Sequence, residues 1–191
     1  MQDYVYLILS SSSSLPAKLI KRFTGDRINH SSLAVEPSLH CMYSFGRRYL
    51  YNAFYGGFVQ EDRDRGFYAR FSDTYAEVYR LPVSREVYLR TKNYLEDCYA
   101  AKDQFRYNVL GMIATRLGFS IARKNTYFCS EFVAEAIQLC GIRPIARDIH
   151  TYRPSYFYEL EDKELIYAGL LREYQTVEPS PFQTQTEVVQ I

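Results

Sequence analysis

The sequence predicts an α+β domain in which a small antiparallel sheet packs against one late helix. Two patterns lead to this prediction. From Cys129 onward the apolar residues recur at helical spacing, and Gly141, a common C-terminal stop, follows them. Earlier in the chain, residues 28–35 (INHSSLAV) alternate between two faces as a strand does. We therefore expect Cys129 in the first turn of a helix whose apolar face is buried against that sheet.

The other elements follow from the same two periodicities. Alternating or continuous apolar runs predict five strands, at residues 4–10, 28–35, 40–46, 75–82 and 164–174. Apolar stripes at helical spacing predict four helices, at residues 16–23, 85–99, 107–117 and 129–140. Between these segments, residues 47–71 mix basic and aromatic side chains. We interpret that stretch as a long irregular loop that either covers a substrate groove or simply packs well on the domain.

Length, charge and composition limit the class of protein. A chain of 191 residues can bury a proper core as one domain, which we place at residues 1–174, with a polar tail at 175–191 predicted to be disordered. A net charge of +1 gives no electrostatic reason to expect nucleic acid as a partner. The apolar run at 4–10 is too short to span a membrane and lacks the basic region of a signal peptide. The cytoplasm is therefore the expected location, and no oligomeric state is indicated.

The four cysteines are Cys41, Cys98, Cys129 and Cys140. We expect them to be free thiols, because a chain of this length without an export signal indicates a reducing compartment. Their spacing matches no metal-binding motif, and adjacent residues such as His40 and Cys41 point to opposite faces of a strand. The chain also lacks a phosphate-binding loop, an HExxH motif and a dinucleotide fingerprint. The sequence therefore predicts no metal and no cofactor.

Cys129 occupies a position that favours a reactive thiol. Free N–H groups and the positive end of the helix dipole meet in the first turn of a helix, and both stabilise a thiolate. Cys140, at the other end of the same helix, experiences the opposite field and is expected to stay a thiol. Because most buried cysteines only pack, catalysis by Cys129 depends on a nearby base. The chain has three histidines that could supply it.

His30 is the histidine best placed for that task. Small residues such as Ser32 share its face of the predicted strand and leave room around the imidazole. A hairpin turn centred on Pro37–Ser38 sets His30 opposite Phe45, to within one residue, and makes Ser44 its polar neighbour. His40 lies near the turn, about a dozen ångströms away at the rise of a strand.

The segments INHSSLAV and YFCSEFVAEAIQLCGI, with histidine preceding cysteine, resemble the circularly permuted branch of the papain-like NlpC hydrolases. That branch includes the YiiX-like proteins and, more distantly, the lecithin:retinol acyltransferase-like enzymes. The stretch MYSFGRR…GGFVQE is similar to small bacterial proteins of the same kind. The resemblance implies Cys129 as nucleophile, His30 as general base and a third, orienting residue on the following strand. That position falls near Ser44, and Glu61 is the acidic alternative.

The resemblance also implies a reaction, which is acyl transfer through a thioester on Cys129. His30 takes the thiol proton, the sulfur attacks an amide or ester carbonyl, and water or an amine releases the acyl group. The substrate would be a small peptide, an amide or a lipid ester, and both hydrolysis and transfer stay open. The alternative is a non-catalytic binding module of the same fold. It would hold its ligand through aromatic residues of segment 47–71, namely Tyr51, Phe54, Tyr55 and Phe58.

Overall fold

The computed structural model describes residues 2–12, 27–49, 52–107 and 125–176. Six strands form one antiparallel sheet: β1 (Asp3–Ser11), β2 (His30–Ala34), β3 (Met42–Tyr49), β4 (Asn52–Glu61), β5 (Tyr75–Val83) and β8 (Glu164–Leu170). Their order across the sheet is β4–β3–β2–β1–β5–β8. Two short strands, β6 (Arg106–Tyr107) and β7 (Thr126–Tyr127), pair in parallel. The α-helices of the described residues are α1 (Gly66–Arg70), α2 (Arg85–Ala100) and α3 (Cys129–Leu139).

This architecture confirms the α+β class, and the sheet divides the interior into two cores. The first core lies between one face of the sheet and helices α2 and α3; its members include Leu7, Leu33, Phe45, Leu81, Phe132 and Ile137. The second core covers the other face beneath α1 and the 3₁₀ turn Leu171–Glu173; its members include Ile8, Ala34, Met42, Tyr68, Val78 and Leu171. Helix α3 therefore packs its apolar stripe on the sheet, as its spacing predicts.

The hairpin of β2 and β3 fixes the position of His30. Leu33 pairs with Tyr43 and Ala34 with Met42, which centres the hairpin on Ser38 and agrees with the predicted register to within one residue. In the described strands the ladder between β2 and β3 consists of these two pairs. Strand β1, on the other side, follows β2 up to His30. The end of β2 that carries His30 is thus held mainly by β1.

The prediction of an irregular loop at residues 47–71 is wrong. Strand β3 extends to Tyr49, and most of the remaining stretch forms β4 and α1. The physical reason lies in the first core, where the ring of Phe58 meets Phe45 at 5.5 Å and Phe132 at 5.0 Å between centroids. Burial of aromatic area of this kind stabilises a strand whose local pattern is weak. A glycine at position 56 is also needed, since a Cβ there would lie 2.6 Å from the carbonyl oxygen of Gly46.

The strand predicted at 164–174 is shorter than expected. It ends at Leu170 and continues into a 3₁₀ turn, because Leu171 and Tyr174 turn inward and are buried in the second core. The Tyr174 hydroxyl donates to the carbonyl oxygen of Pro37 at 3.0 Å and ties this turn to the β2–β3 hairpin.

The two long helices begin and end where the sequence indicates. Ser84 caps α2, its hydroxyl accepting the N–H of Val87 at 3.3 Å. Helix α3 stops before Gly141, which has a φ of 73°. The predicted helix at 16–23, nearly all of that at 107–117, and the tail from residue 177 lie outside the described residues. Among the described helices, none has both the length and the apolar character needed to cross a bilayer.

Candidate active site

His30 and Glu61 form a close pair near one end of the sheet. Nε2 of His30 lies 3.1 Å from Oε1 and 3.2 Å from Oε2 of Glu61. Glu61 is the last residue of β4, two strands away from β2. The two side chains are only 20% and 11% exposed. Their interaction is therefore less screened by solvent than that of a surface ion pair.

Cys129 is the third member of the group. It is the first residue of α3, which packs against β2 and β3, and it is 5% exposed. Its thiol lies close enough to the His30 side chain and to the backbone N–H groups of Ser31 and Ser130 for these groups to lower its pKa. Because Glu61 occupies Nε2, Nδ1 is the ring nitrogen left for the sulfur. The structure thus brings together Cys129, His30 and Glu61, which come from three separate elements.

Interactions within this group shift its proton equilibrium toward a charged pair. Burial by itself would raise the pKa of the Cys129 thiol, but the hydrogen bond with His30, its charge and the two N–H groups lower it. Burial acts to lower the pKa of His30, yet the charge of Glu61 and the hydrogen bonds to Cys129 and Glu61 raise it well above its usual value. A thiolate beside an imidazolium is the reactive form of a cysteine nucleophile.

Ser44, the first of the two candidate orienting residues, makes no hydrogen bond to His30. Its side chain is fully buried in β3, where it pairs with Val59, and Oγ has no hydrogen-bond partner among the described residues. The contact with His30 is made by Glu61, the acidic alternative. Glu61 reaches that place because β4 pairs with β3 and sets it opposite Met42. With residues 47–71 treated as a loop, the sequence could not place it in the sheet.

Polar contacts anchor the first turn of α3, which carries Cys129. Glu131 is buried, accepts the backbone N–H of Phe128 at 3.3 Å and lies 2.7 Å from Nδ1 of His150. The Ser130 hydroxyl donates to the carbonyl oxygen of Tyr152 at 2.6 Å. The helical spacing of the apolar residues leaves Glu131 on the polar side of the helix, so the spacing alone does not predict its burial. A glutamate at the third helical position is a known capping signal and could have indicated it.

The side chains that could ligate a metal lie elsewhere. Nδ1 of His40 is 3.1 Å from Asp62 and 3.9 Å from Asp64, and within the described residues these three form the one group close enough to share an ion. Asp62 already accepts the N–H of Asp64 at 2.8 Å. Neither His30 nor Cys41 belongs to this group.

The aromatic segment contributes to the core where its side chains are described. Phe58 is buried against Phe45 and Phe132 and is not available to a ligand. Tyr51 and the side chains of Phe54 and Tyr55 lie outside the described part of the chain.

Comparison with known proteins returned no similar protein. No family model matches the chain, and neither a curated protein nor a solved structure matches it. The site is therefore interpreted from its own residues and geometry.

We expect iodoacetamide to alkylate Cys129 faster than the other three cysteines at neutral pH. Burial raises the pKa of Cys98 to about 11 and also raises that of Cys140 and Cys41, whereas His30 lowers that of Cys129. The Cys129 rate should fall only when the pH drops through its lowered pKa, while the other rates rise with pH.

Peptide mapping by mass spectrometry after short exposure over a range of pH measures these rates. The matched comparison is Cys140, at the other end of α3. Labelling of Cys41, Cys98 or Cys140 before Cys129 would contradict the expected order.

Proposed function

We propose that this protein is a cysteine-dependent acyl-transfer enzyme, acting as a hydrolase or acyltransferase on an amide or ester. The observation that carries the proposal is the contact sequence Cys129–His30–Glu61, with the nucleophile at the start of a helix and the base held by a carboxylate. Opposite pKa shifts of the thiol and the imidazole support the same assignment.

The first half of the reaction forms a thioester. The Cys129 thiolate attacks the carbonyl carbon, a C–S bond forms, and the carbonyl electron pair moves to oxygen. Backbone N–H groups at the start of α3, that of Ser130 among them, stabilise the negative oxygen. The imidazolium of His30 then gives its proton to the leaving nitrogen or oxygen as that bond breaks.

The second half regenerates the enzyme. Water, or an amine in the case of transfer, attacks the thioester while His30 accepts its proton. The C–S bond breaks and the electron pair returns to the sulfur of Cys129. Glu61 accepts the N–H of Nε2 throughout, which fixes the orientation of the ring and stabilises its charged form.

The permuted papain-like fold is part of the proposal. His30 opens an early strand of an antiparallel sheet, and Cys129 opens a later helix packed against that strand. This order supports the resemblance found in the sequence segments around both residues. The substrate class that goes with it is a small peptide, an amide or a lipid ester.

The proposal is tested by looking for a covalent acyl adduct on the sulfur of Cys129. With p-nitrophenyl acetate, the wild-type protein should release a burst of about one equivalent of p-nitrophenol and carry one acetyl group on Cys129, seen by intact mass and peptide mapping. Cys129→Ala should show neither signal, and Cys140→Ala, altered at the other end of α3, should show both.

Equal release of p-nitrophenol by the wild type and Cys129→Ala would contradict the proposal. A binding module that holds its ligand elsewhere predicts that result.

A further inference from the structure

Besides His30, Tyr68 also contacts the Glu61 carboxylate. Tyr68 lies in α1, is 3% exposed and belongs to the second core. Its hydroxyl is 3.5 Å from Oε2 of Glu61 and 3.5 Å from the hydroxyl of Ser10. Ser10 pairs with His30 in the ladder between β1 and β2. The Tyr68 hydroxyl therefore contacts β4 through Glu61 and β1 through Ser10, the residue that pairs with His30.

The hydrogen bond to Glu61 has a fixed direction. An ionised carboxylate only accepts, so the Tyr68 O–H is the donor and the Ser10 hydroxyl supplies the second contact. Burial and the charge of Glu61 raise the pKa of Tyr68 well above its usual value, so the donor keeps its proton over the whole working range. A buried hydroxyl needs a partner, and this one has both of its partners next to His30.

The two carboxylate oxygens of Glu61 lie at almost equal distance from Nε2 of His30, but only one of them also contacts Tyr68. Oε2 receives the tyrosine hydroxyl, whereas the shorter contact, 3.1 Å, joins Oε1 to Nε2. With one oxygen engaged, the carboxylate has less freedom to turn away from the imidazole. At 3.5 Å the contact is longer than an ideal O–H···O⁻ hydrogen bond, so we expect it to restrain the carboxylate by only part of what a full charge-assisted bond would.

We propose that Tyr68 is a positioning residue for the Cys129–His30 pair, acting by holding the Glu61 carboxylate toward Nε2. This inference rests on the proposed function, and it adds a fourth member that touches neither substrate nor nucleophile. Loss of the hydroxyl weakens the contact between Glu61 and His30. The imidazolium is then held less firmly, and the thiolate of Cys129 loses part of its stabilisation.

The experiment measures the rate of Cys129 alkylation by iodoacetamide as a function of pH. It needs no substrate, so it remains informative even if no acyl adduct ever forms. Tyr68→Phe keeps the ring and removes only the hydroxyl. The pH at which the Cys129 alkylation rate is half of its maximum should rise by about half a unit in this variant. Tyr174→Phe is the matched control, since this buried tyrosine of the second core bonds Pro37 instead. Its midpoint should equal that of the wild type.

A second pair of variants separates positioning from packing. In a Glu61→Gln background, Tyr68→Phe should cause no further shift, because the hydroxyl acts through the carboxylate. An unchanged midpoint in Tyr68→Phe, whether or not the protein melts at a lower temperature, would overturn the inference. An equal shift in the wild-type and Glu61→Gln backgrounds would overturn it as well.

Discussion

Replacing His30 with alanine is expected to lower the rate of acylation of Cys129 by about 10²–10⁴-fold, the range for loss of a positioned general base. Two effects combine. The leaving group loses its proton donor, and the thiol loses the neighbour whose hydrogen bond and charge lower its pKa. Burial, which acts in the opposite direction, is then no longer outweighed, so less thiolate is present at neutral pH. The rate of acylation by an acyl p-nitroanilide, whose leaving nitrogen must be protonated, measures the combined loss. The burst with p-nitrophenyl acetate, whose phenolate leaves without a proton, measures the loss of thiolate alone.

The pH dependence of activity and of Cys129 alkylation should also differ between the wild type and His30→Ala. In the wild type, the thiolate–imidazolium pair exists between the lowered pKa of Cys129 and the raised pKa of His30. Activity should fall when the pH drops through the first, because the thiolate is protonated, and when it rises through the second, because the proton donor is lost. In His30→Ala the plateau between them should disappear, and alkylation of Cys129 should increase steadily into the alkaline range.

His40→Ala provides the matched control for His30. His40 also contacts a carboxylate, that of Asp62, but it is 46% exposed and lies outside the Cys129 group. We expect its burst rate to equal that of the wild type. A loss of similar size in both variants, or an undiminished rate in His30→Ala, would contradict the assignment of His30 as the base.

The parts of the site that depend on local pattern could be predicted from the sequence. The helix that opens at Cys129 is specified by an apolar stripe over its whole length and by the stop at Gly141, both contained within the segment itself. The position of His30 follows from strand alternation and a short hairpin, whose register is limited by the turn. These features are determined by residues close together in the sequence, so they can be predicted without knowing the tertiary contacts.

The third residue could not be predicted in the same way. Glu61 comes close to His30 only because β4 joins the sheet at its edge beyond β3, and that pairing is stabilised by Phe58 in a core completed by α3, far along the chain. Gly56 and Gly57 weaken the local strand pattern of β4, so the segment resembles a loop until its tertiary partners are known. The register derived from the sequence favours Ser44 because it lies near His30 along the hairpin, whereas the carboxylate comes from the strand beyond β3.

Glu61→Gln is expected to lower the acylation rate by about 10²-fold or more, and Ser44→Ala by less than about threefold. Glutamine fills the same space but removes the charge that raises the pKa of His30, so burial then lowers it. The amide can also present an N–H where the carboxylate accepts one, which favours the wrong tautomer of the ring. Ser44 makes no hydrogen bond that its removal could break.

The rate of acylation by an acyl p-nitroanilide over a range of pH, measured on both variants, distinguishes the carboxylate from the serine. In Glu61→Gln the upper limit of the activity plateau should move to lower pH, because the imidazolium that donates to the leaving group loses its proton earlier. In Ser44→Ala both limits should remain in place. A larger loss in Ser44→Ala than in Glu61→Gln would assign the orienting role to the serine instead. Glu61 contacts Nε2 of His30 at 3.1 Å in a site shielded from solvent. Loss of its charge should therefore lower the rate more than loss of the Ser44 hydroxyl.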